Sequence, residues 1–191
     1  MSVLVSFPTP LPISFREALR YAGGGEASDE LIRECVAEAE DSFTYKVCYT
    51  ELSVSVDGEL CDFGLFSVNS RALAKNLGSS KRALLFCATV GVGPDRLIAK
   101  YTRTSPSRAL MHSALGSERI EALCDAFCLD FAKEQGVKLR PRFSPGYADL
   151  PLDIQKNIFS ILEPSRRIGV TLGERLLMTP TKSVTAFVGI E

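Results

Sequence analysis

The stretch Arg140-Pro141-Arg142-Phe143-Ser144-Pro145-Gly146-Tyr147-Ala148-Asp149-Leu150-Pro151 gathers the residue types suited to holding a small charged ligand. Its two guanidinium groups can pair with a carboxylate through parallel N–H donors. Glycine lets a ligand come close to the backbone. Tyr147 offers a flat face to a purine or a cation. Such a set suits a small zwitterion bearing an adenine. The same composition also fits a surface turn stiffened by proline.

Two other places could carry chemistry. Gly91-x-Gly93 reads as a strand-to-helix loop, where backbone amides and the helix dipole can hold an anion. It lacks the third glycine of a dinucleotide loop and the Gly-Lys-Ser/Thr of a nucleoside triphosphate loop. A turn that needs positive φ is the simpler explanation. His112 is the only histidine, and Cys124 is a conceivable dyad partner. On one helix a twelve-residue separation places the two about 18 Å apart, so they cannot meet unless the helix breaks at Gly116. A single histidine also argues against zinc.

The elements that must position these residues are legible from periodicity and caps. Pro8, Pro10 and Pro12 make the first thirteen residues an extended arm. Ser14 caps a short helix through Arg20, ended by Gly23-Gly24-Gly25, where the chain has most freedom. Ser28 caps an amphipathic helix with Asp29 and Glu30 in its first turn and an apolar stripe of Leu31, Ile32, Cys35, Val36 and Ala39. Phe43, Tyr45, Val47 and Tyr49 then alternate with polar neighbours, and Leu52, Val54 and Val56 continue in opposite phase. That slip predicts a bulge near Thr50-Glu51. Asp57-Gly58 signals a hairpin, with Cys61, Phe63 and Leu65 on the returning strand. Ser70 caps a short helix ending at Gly78. Ala83 to Val90 is a continuous apolar run, as in a strand covered on both faces. Pro94 opens a helix. Ser105-Pro106 opens the longest one, reaching Gln135 with Gly136 as its stop, and Ala114, Gly116 and Ser117 predict close packing on it. Pro151 opens another helix with Leu152, Ile158, Phe159 and Leu162 as core. Ser183 to Ile190 reads as a final strand.

The fold class expected is α+β: one domain with helices packed on a largely antiparallel twisted sheet. Residues 1–27 form the arm and short helix, and 28–191 the domain proper. At 191 residues with 46% hydrophobic and 24% charged side chains, the chain can bury a sizeable core. A net charge of −1 is poor electrostatics for binding nucleic acid. No apolar run is long enough to span a bilayer, and the N-terminus does not read as a signal peptide. Six scattered cysteines without Cys-x-x-Cys predict buried reduced thiols and a cytoplasmic protein.

Arg142-x-x-x-Gly146-Tyr147 resembles the Arg-x-x-x-Gly-Tyr signature of the activation domain of cobalamin-dependent methionine synthase, a domain that binds S-adenosylmethionine. Ile168-Gly169-Val170-Thr171-Leu172-Gly173-Glu174, then Met178-Thr179-Pro180 and Ser183-Val184-Thr185, are similar to the family's Gly-x-x-Leu-Thr-Glu-Ser, Met-x-Pro and Ser-Val-Ser run. Glu121-Ala122-Leu123-Cys124-Asp125 is similar to an acidic stretch on the family's preceding helix. The resemblance covers roughly residues 110–190. Departures are Leu172-Gly173-Glu174-Arg175 for Leu-Thr-Glu-Ser, and Gly146-Tyr147-Ala148-Asp149-Leu150-Pro151 for Gly-Tyr-Pro-Ala-Cys-Pro. The family's domain runs on past the position of Glu191. Nothing resembles the substrate or cobalamin modules, which reads as a free-standing activation subunit.

The resemblance implies an S-adenosylmethionine site and a role in reductive remethylation of cob(II)alamin on a methionine synthase or related corrinoid protein. Arg142 would pair with the ligand carboxylate and Glu121 with its ammonium. Ser144, Pro145 and Gly146 would offer backbone groups, and Tyr147 would pack on the adenosyl or sulfonium part. Arg140, Phe143 and Arg175 would form the rim that docks the partner. The partners implied are a cobalamin-carrying module and a one-electron reductant such as flavodoxin. The rival reading is a non-catalytic adaptor that docks on a corrinoid protein without binding the ligand, the long Arg175 side chain filling the site.

Overall fold

The computed structural model describes residues 2–24 and 29–191; Gly25 and the expected cap Ser28 lie outside the described residues. In chain order the elements are β1 (Leu4–Ser6), α1 (Phe15–Tyr21), α2 (Asp29–Ala39), β2 (Lys46–Ser53), β3 (Ser55–Asp57), β4 (Leu60–Asp62) and β5 (Ser67–Asn69). There follow α3 (Arg71–Leu77), β6 (Arg82–Thr89), α4 (Gly93–Tyr101), α5 (Pro106–Gln135) and α6 (Gln155–Leu162). The last are α7 (Pro164–Arg167), β7 (Thr171–Leu172), β8 (Met178–Thr179) and β9 (Ser183–Ile190).

The main sheet is four-stranded and antiparallel, in the order β1-β2-β6-β9. Its continuous apolar strand is explained by burial on both faces. Leu84, Phe86 and Ala88 pack against Ile120, Leu123, Cys124 and Phe127 of α5. Ala83, Leu85 and Cys87 face a second core with Leu73 and Leu77 of α3 and Ile158 and Leu162 of α6. A third cluster joins Ala18 of α1 to Ile32, Cys35 and Ala39 of α2 and to Met111 and Leu115 of α5. The small sheets β3-β4-β5 and β7-β8 lie outside the main one.

Local signals place the helix ends. Ser14 Oγ accepts from Glu17 N and Ser70 Oγ from Leu73 N, each capping its helix. Gly136, at φ +64°, closes α5 in the left-handed conformation that glycine takes without strain. Lys182 lies across Gly116 so closely that a Cβ there would stand 2.9 Å from its Cγ, which accounts for the small residues of α5.

Four expectations need correction. β2 has no bulge at Thr50-Glu51: it pairs with β6 unbroken from Lys46 to Ser53. Val47 on one face and Cys48 and Leu52 on the other are all buried, so the apparent phase slip records a strand covered twice. The hairpin turns on Gly58-Glu59, with Asp57 opposite Leu60. The returning strand stops at Asp62, because Gly64 (φ +77°) bends the chain and leaves Leu65 exposed. Leu152 is exposed, lying in a single 3-10 turn before α6 rather than on its buried face.

Candidate functional site

Beyond the last described turn of α5, the chain runs back along the free edge of β9. Leu139 bridges Ile190, and Phe143 bridges Phe187. Between these bridges the chain advances four residues while β9 retreats three, so the Arg140–Arg142 segment carries one residue too many. This bulge re-aims the side chains, as bulges do. Leu139 packs on the α5 side of the sheet and Phe143 in the core on the other side. Arg140 and Arg142 diverge as well. Arg140 crosses Gly189 and Gly78, donates to the Asn76 carbonyl, and pairs with Glu191 at 2.6 Å. Arg142 turns to α5, where it donates to Asp125 and, at 2.8 Å, to Glu121.

These two acids are one helical turn apart on α5, so both meet a single guanidinium. Burial works against the Arg142 charge. The hydrogen bond to Asp125 and the nearby Glu121 outweigh it and raise the pKa above the ordinary guanidinium value. Burial pushes the Cys128 thiol up, and Arg142 beside it pulls it back. The cleft at this ion cluster has a volume of 520 Å³ and is lined by Glu121, Pro141, Arg142, Ser144, Tyr147 and Val184.

The loop after Phe143 forms the cleft's wall. Tyr147 N donates to Ser144 O at 3.2 Å and Gly146 N to Leu150 O at 2.9 Å. Gly146 sits at φ +83° with Leu152 against its α-carbon, and Ala148 takes φ +51°, a region unfavourable for a residue with a Cβ. Asp149 ties the loop to α3. Its carboxylate accepts from Ser70 Oγ at 2.6 Å, Arg71 N at 2.8 Å and Ala72 N at 3.2 Å. The hydrogen bond from Ser70 and those from the two amides hold its pKa below the usual carboxylate value. Tyr147 is 68% exposed, its ring edge-on to Phe143 at 5.6 Å.

Of the residues expected to hold a ligand, Glu121, Arg142, Ser144 and Tyr147 therefore line one cleft. Gly146 shapes the loop, and Pro145 is buried. The docking rim is placed differently. Phe143 is 8% exposed and belongs to the core, so it offers almost nothing to a partner. Arg140 is committed to the α3 side. Arg175 is exposed in the β7–β8 loop and is not among the cleft's lining residues, so it does not fill it.

Three features escaped the sequence reading. Asp125 shares Arg142, Asp149 tethers the loop, and Lys182 donates to Ser113 Oγ at 3.0 Å and Ser117 Oγ at 2.9 Å, one turn from Glu121. The spacing of Glu121 and Asp125 carried a signal for the first; the others depend on distant chain segments. Gly91 and Gly93 are explained by packing. A Cβ would stand 2.0 Å from Thr44 Oγ1 at the first and 2.0 Å from Ser42 O at the second, so close backbone packing requires glycine at both positions. His112 is buried against Glu38, 3.2 Å away, and stacks on Tyr101, far from Cys124 in role and place. Among the described residues, no group of three or more His, Cys, Asp or Glu could hold a metal ion, and no helix is long and apolar enough to cross a membrane.

The fold is that of a methionine synthase reactivation domain. A crystal structure of the MetH reactivation domain bound to AdoHcy superposes with a TM-score of 0.72, covering 99% of this chain and 78% of that one at 13% identity. Residues 73–190 match the family "vitamin B12 dependent methionine synthase, activation domain", and the chain belongs to that family. No curated protein matches it in sequence.

Proposed function

We propose that the chain binds S-adenosylmethionine in the Arg142 cleft and presents its methyl group to cobalamin carried by a partner module, supporting reductive remethylation. The observation that carries this reading is the meeting of Arg142 and Glu121 in one cleft beside Tyr147, at the family's signature. A zwitterionic amino-acid head fits such a pair, carboxylate on the guanidinium and ammonium on Glu121. The exposed Tyr147 ring is free to cover an adenine or sulfonium.

Charge supports the same ligand. Arg142 stands between two carboxylates, leaving one negative charge in excess. S-adenosylmethionine carries one net positive charge, and its thioether product carries none. On this reading the partner's cobalamin, reduced by a one-electron donor such as flavodoxin, would take the methyl group from the sulfonium, leaving the thioether in the cleft with its amino-acid head held by Arg142 and Glu121. The protein's part is to hold the donor in line and exclude water. Loss of the sulfonium charge then weakens the product's hold on the acidic cleft.

Calorimetric titration tests this reading. S-adenosylmethionine should bind at one site per chain, several-fold more tightly than S-adenosylhomocysteine. Absence of heat for both ligands would overturn it and favour the adaptor.

A further inference from the structure

We infer that Asp125 is a built-in competitor for the ligand carboxylate, a specificity-determining residue that sets how tightly the cleft takes amino-acid-bearing ligands. The inference rests on the function proposed above. Both terminal nitrogens of Arg142 are already committed, Nη1 to Asp125 and Nη2 to Glu121. A ligand carboxylate needs two parallel N–H donors of the same guanidinium for the bidentate geometry. A carboxylate that takes the edge joining Nη1 and Nη2, where the two acids now bind, displaces one of them.

Exposure decides which one yields. The Asp125 side chain is 72% exposed, against 43% for Glu121. Asp125 regains water at little cost when it lets go. Glu121 lines the cleft and remains to accept the ligand ammonium, whereas Asp125 is not among the lining residues. Asp125 thus occupies the guanidinium edge without contributing to the space the ligand fills. Being fixed on α5, it competes at an effective concentration that no free anion matches.

The consequence is a gain of affinity on mutation. In Asp125→Asn the charged competitor is gone, while Glu121 and Arg142 stay. Exposed ion pairs are weak, so the gain is bounded at about three- to fivefold. It should be larger for S-adenosylhomocysteine than for S-adenosylmethionine, whose sulfonium also loses one attracting charge. A ligand without the carboxylate, 5′-methylthioadenosine, should gain nothing.

The experiment is calorimetry of wild type and Asp125→Asn with these three ligands, with thermal melting as a check on folding. Tighter S-adenosylhomocysteine binding in the variant, with unchanged 5′-methylthioadenosine binding, supports the competitor. Wild type that binds while the variant binds the amino-acid ligands equally or less tightly overturns the competitor and leaves the proposed function standing. If neither protein binds any of the three, both fall.

Discussion

Arg142 Nη2 stands 2.8 Å from Glu121 Oε2, although the residues are 21 positions apart and belong to different elements. The bulge beside β9 aims the arginine and the α5 helix presents the acid. Removing the arginine should disarm the cleft. Arg142→Ala is expected to weaken S-adenosylmethionine binding by about ten- to hundredfold, since losing a charge-assisted hydrogen bond costs about 1.5–3 kcal/mol. Matching titrations of wild type and variant would contradict the role given to Arg142.

The Asp149 tether makes a separate prediction. In Asp149→Asn the amide NH2 would face the Arg71 or Ala72 N–H that the carboxylate now satisfies. Amide hydrogen exchange at Gly146, Tyr147 and Leu150 should accelerate, and ligand affinity should fall a few-fold. Ser70→Ala leaves Asp149 its bonds to the Arg71 and Ala72 amides but strips the α3 cap, so it should lower stability by about 1 kcal/mol with less effect on affinity. Exchange rates in Asp149→Asn equal to those of wild type would rule out the tether.

How much of this was legible in the chain follows from what each feature depends on. Ser14, Ser70 and Gly136 act on their own helices, so caps and stops could be read locally. β6 could be read as a doubly covered strand because Ala83 to Ala88 is apolar without a break. β2 could not, since Thr50 is buried with a polar side chain, its hydroxyl bonded to Ser2 O. The family signature pointed to Arg142 and Tyr147, and the similarity of the acidic stretch from Glu121 to Asp125 pointed to Glu121. The bulge that sends Arg142 to α5, Arg140 to α3 and Phe143 into the core exists only through pairing with β9. That is why Phe143 is buried and Arg140 is engaged on the α3 side, where the sequence reading expected both on one rim.

His112 gives the pH dependence a clean reporter, being the chain's only histidine. Burial lowers its pKa from 6.5, against the pull of Glu38 and with the push of Arg108 and Lys100. The unfolded chain therefore takes up the proton first. Stability from this group is complete above about pH 6.5 and is lost as pH falls through its lower folded value, at no more than about 1.4 kcal/mol per pH unit. Melting temperature should fall between pH 7.5 and 5 in wild type and fall less in His112→Gln. Equal slopes would contradict the assignment.

Gly93 separates packing from anion binding. Gly93→Ala would drive a Cβ to 2.0 Å from the Ser42 carbonyl oxygen. It should lower stability by more than about 1 kcal/mol, with ligand titrations unchanged once the protein is folded. A fully stable variant would show that the loop has room the structure does not give it.

The most direct measurement is spectroscopic. An oxidised corrinoid partner lacking its own activation domain is mixed with this protein, S-adenosylmethionine and a one-electron reductant. The account predicts loss of the cob(II)alamin absorption and growth of the methylcobalamin band, dependent on the protein and strongly slowed by Arg142→Ala. A methylcobalamin band that grows equally fast without the protein would contradict it.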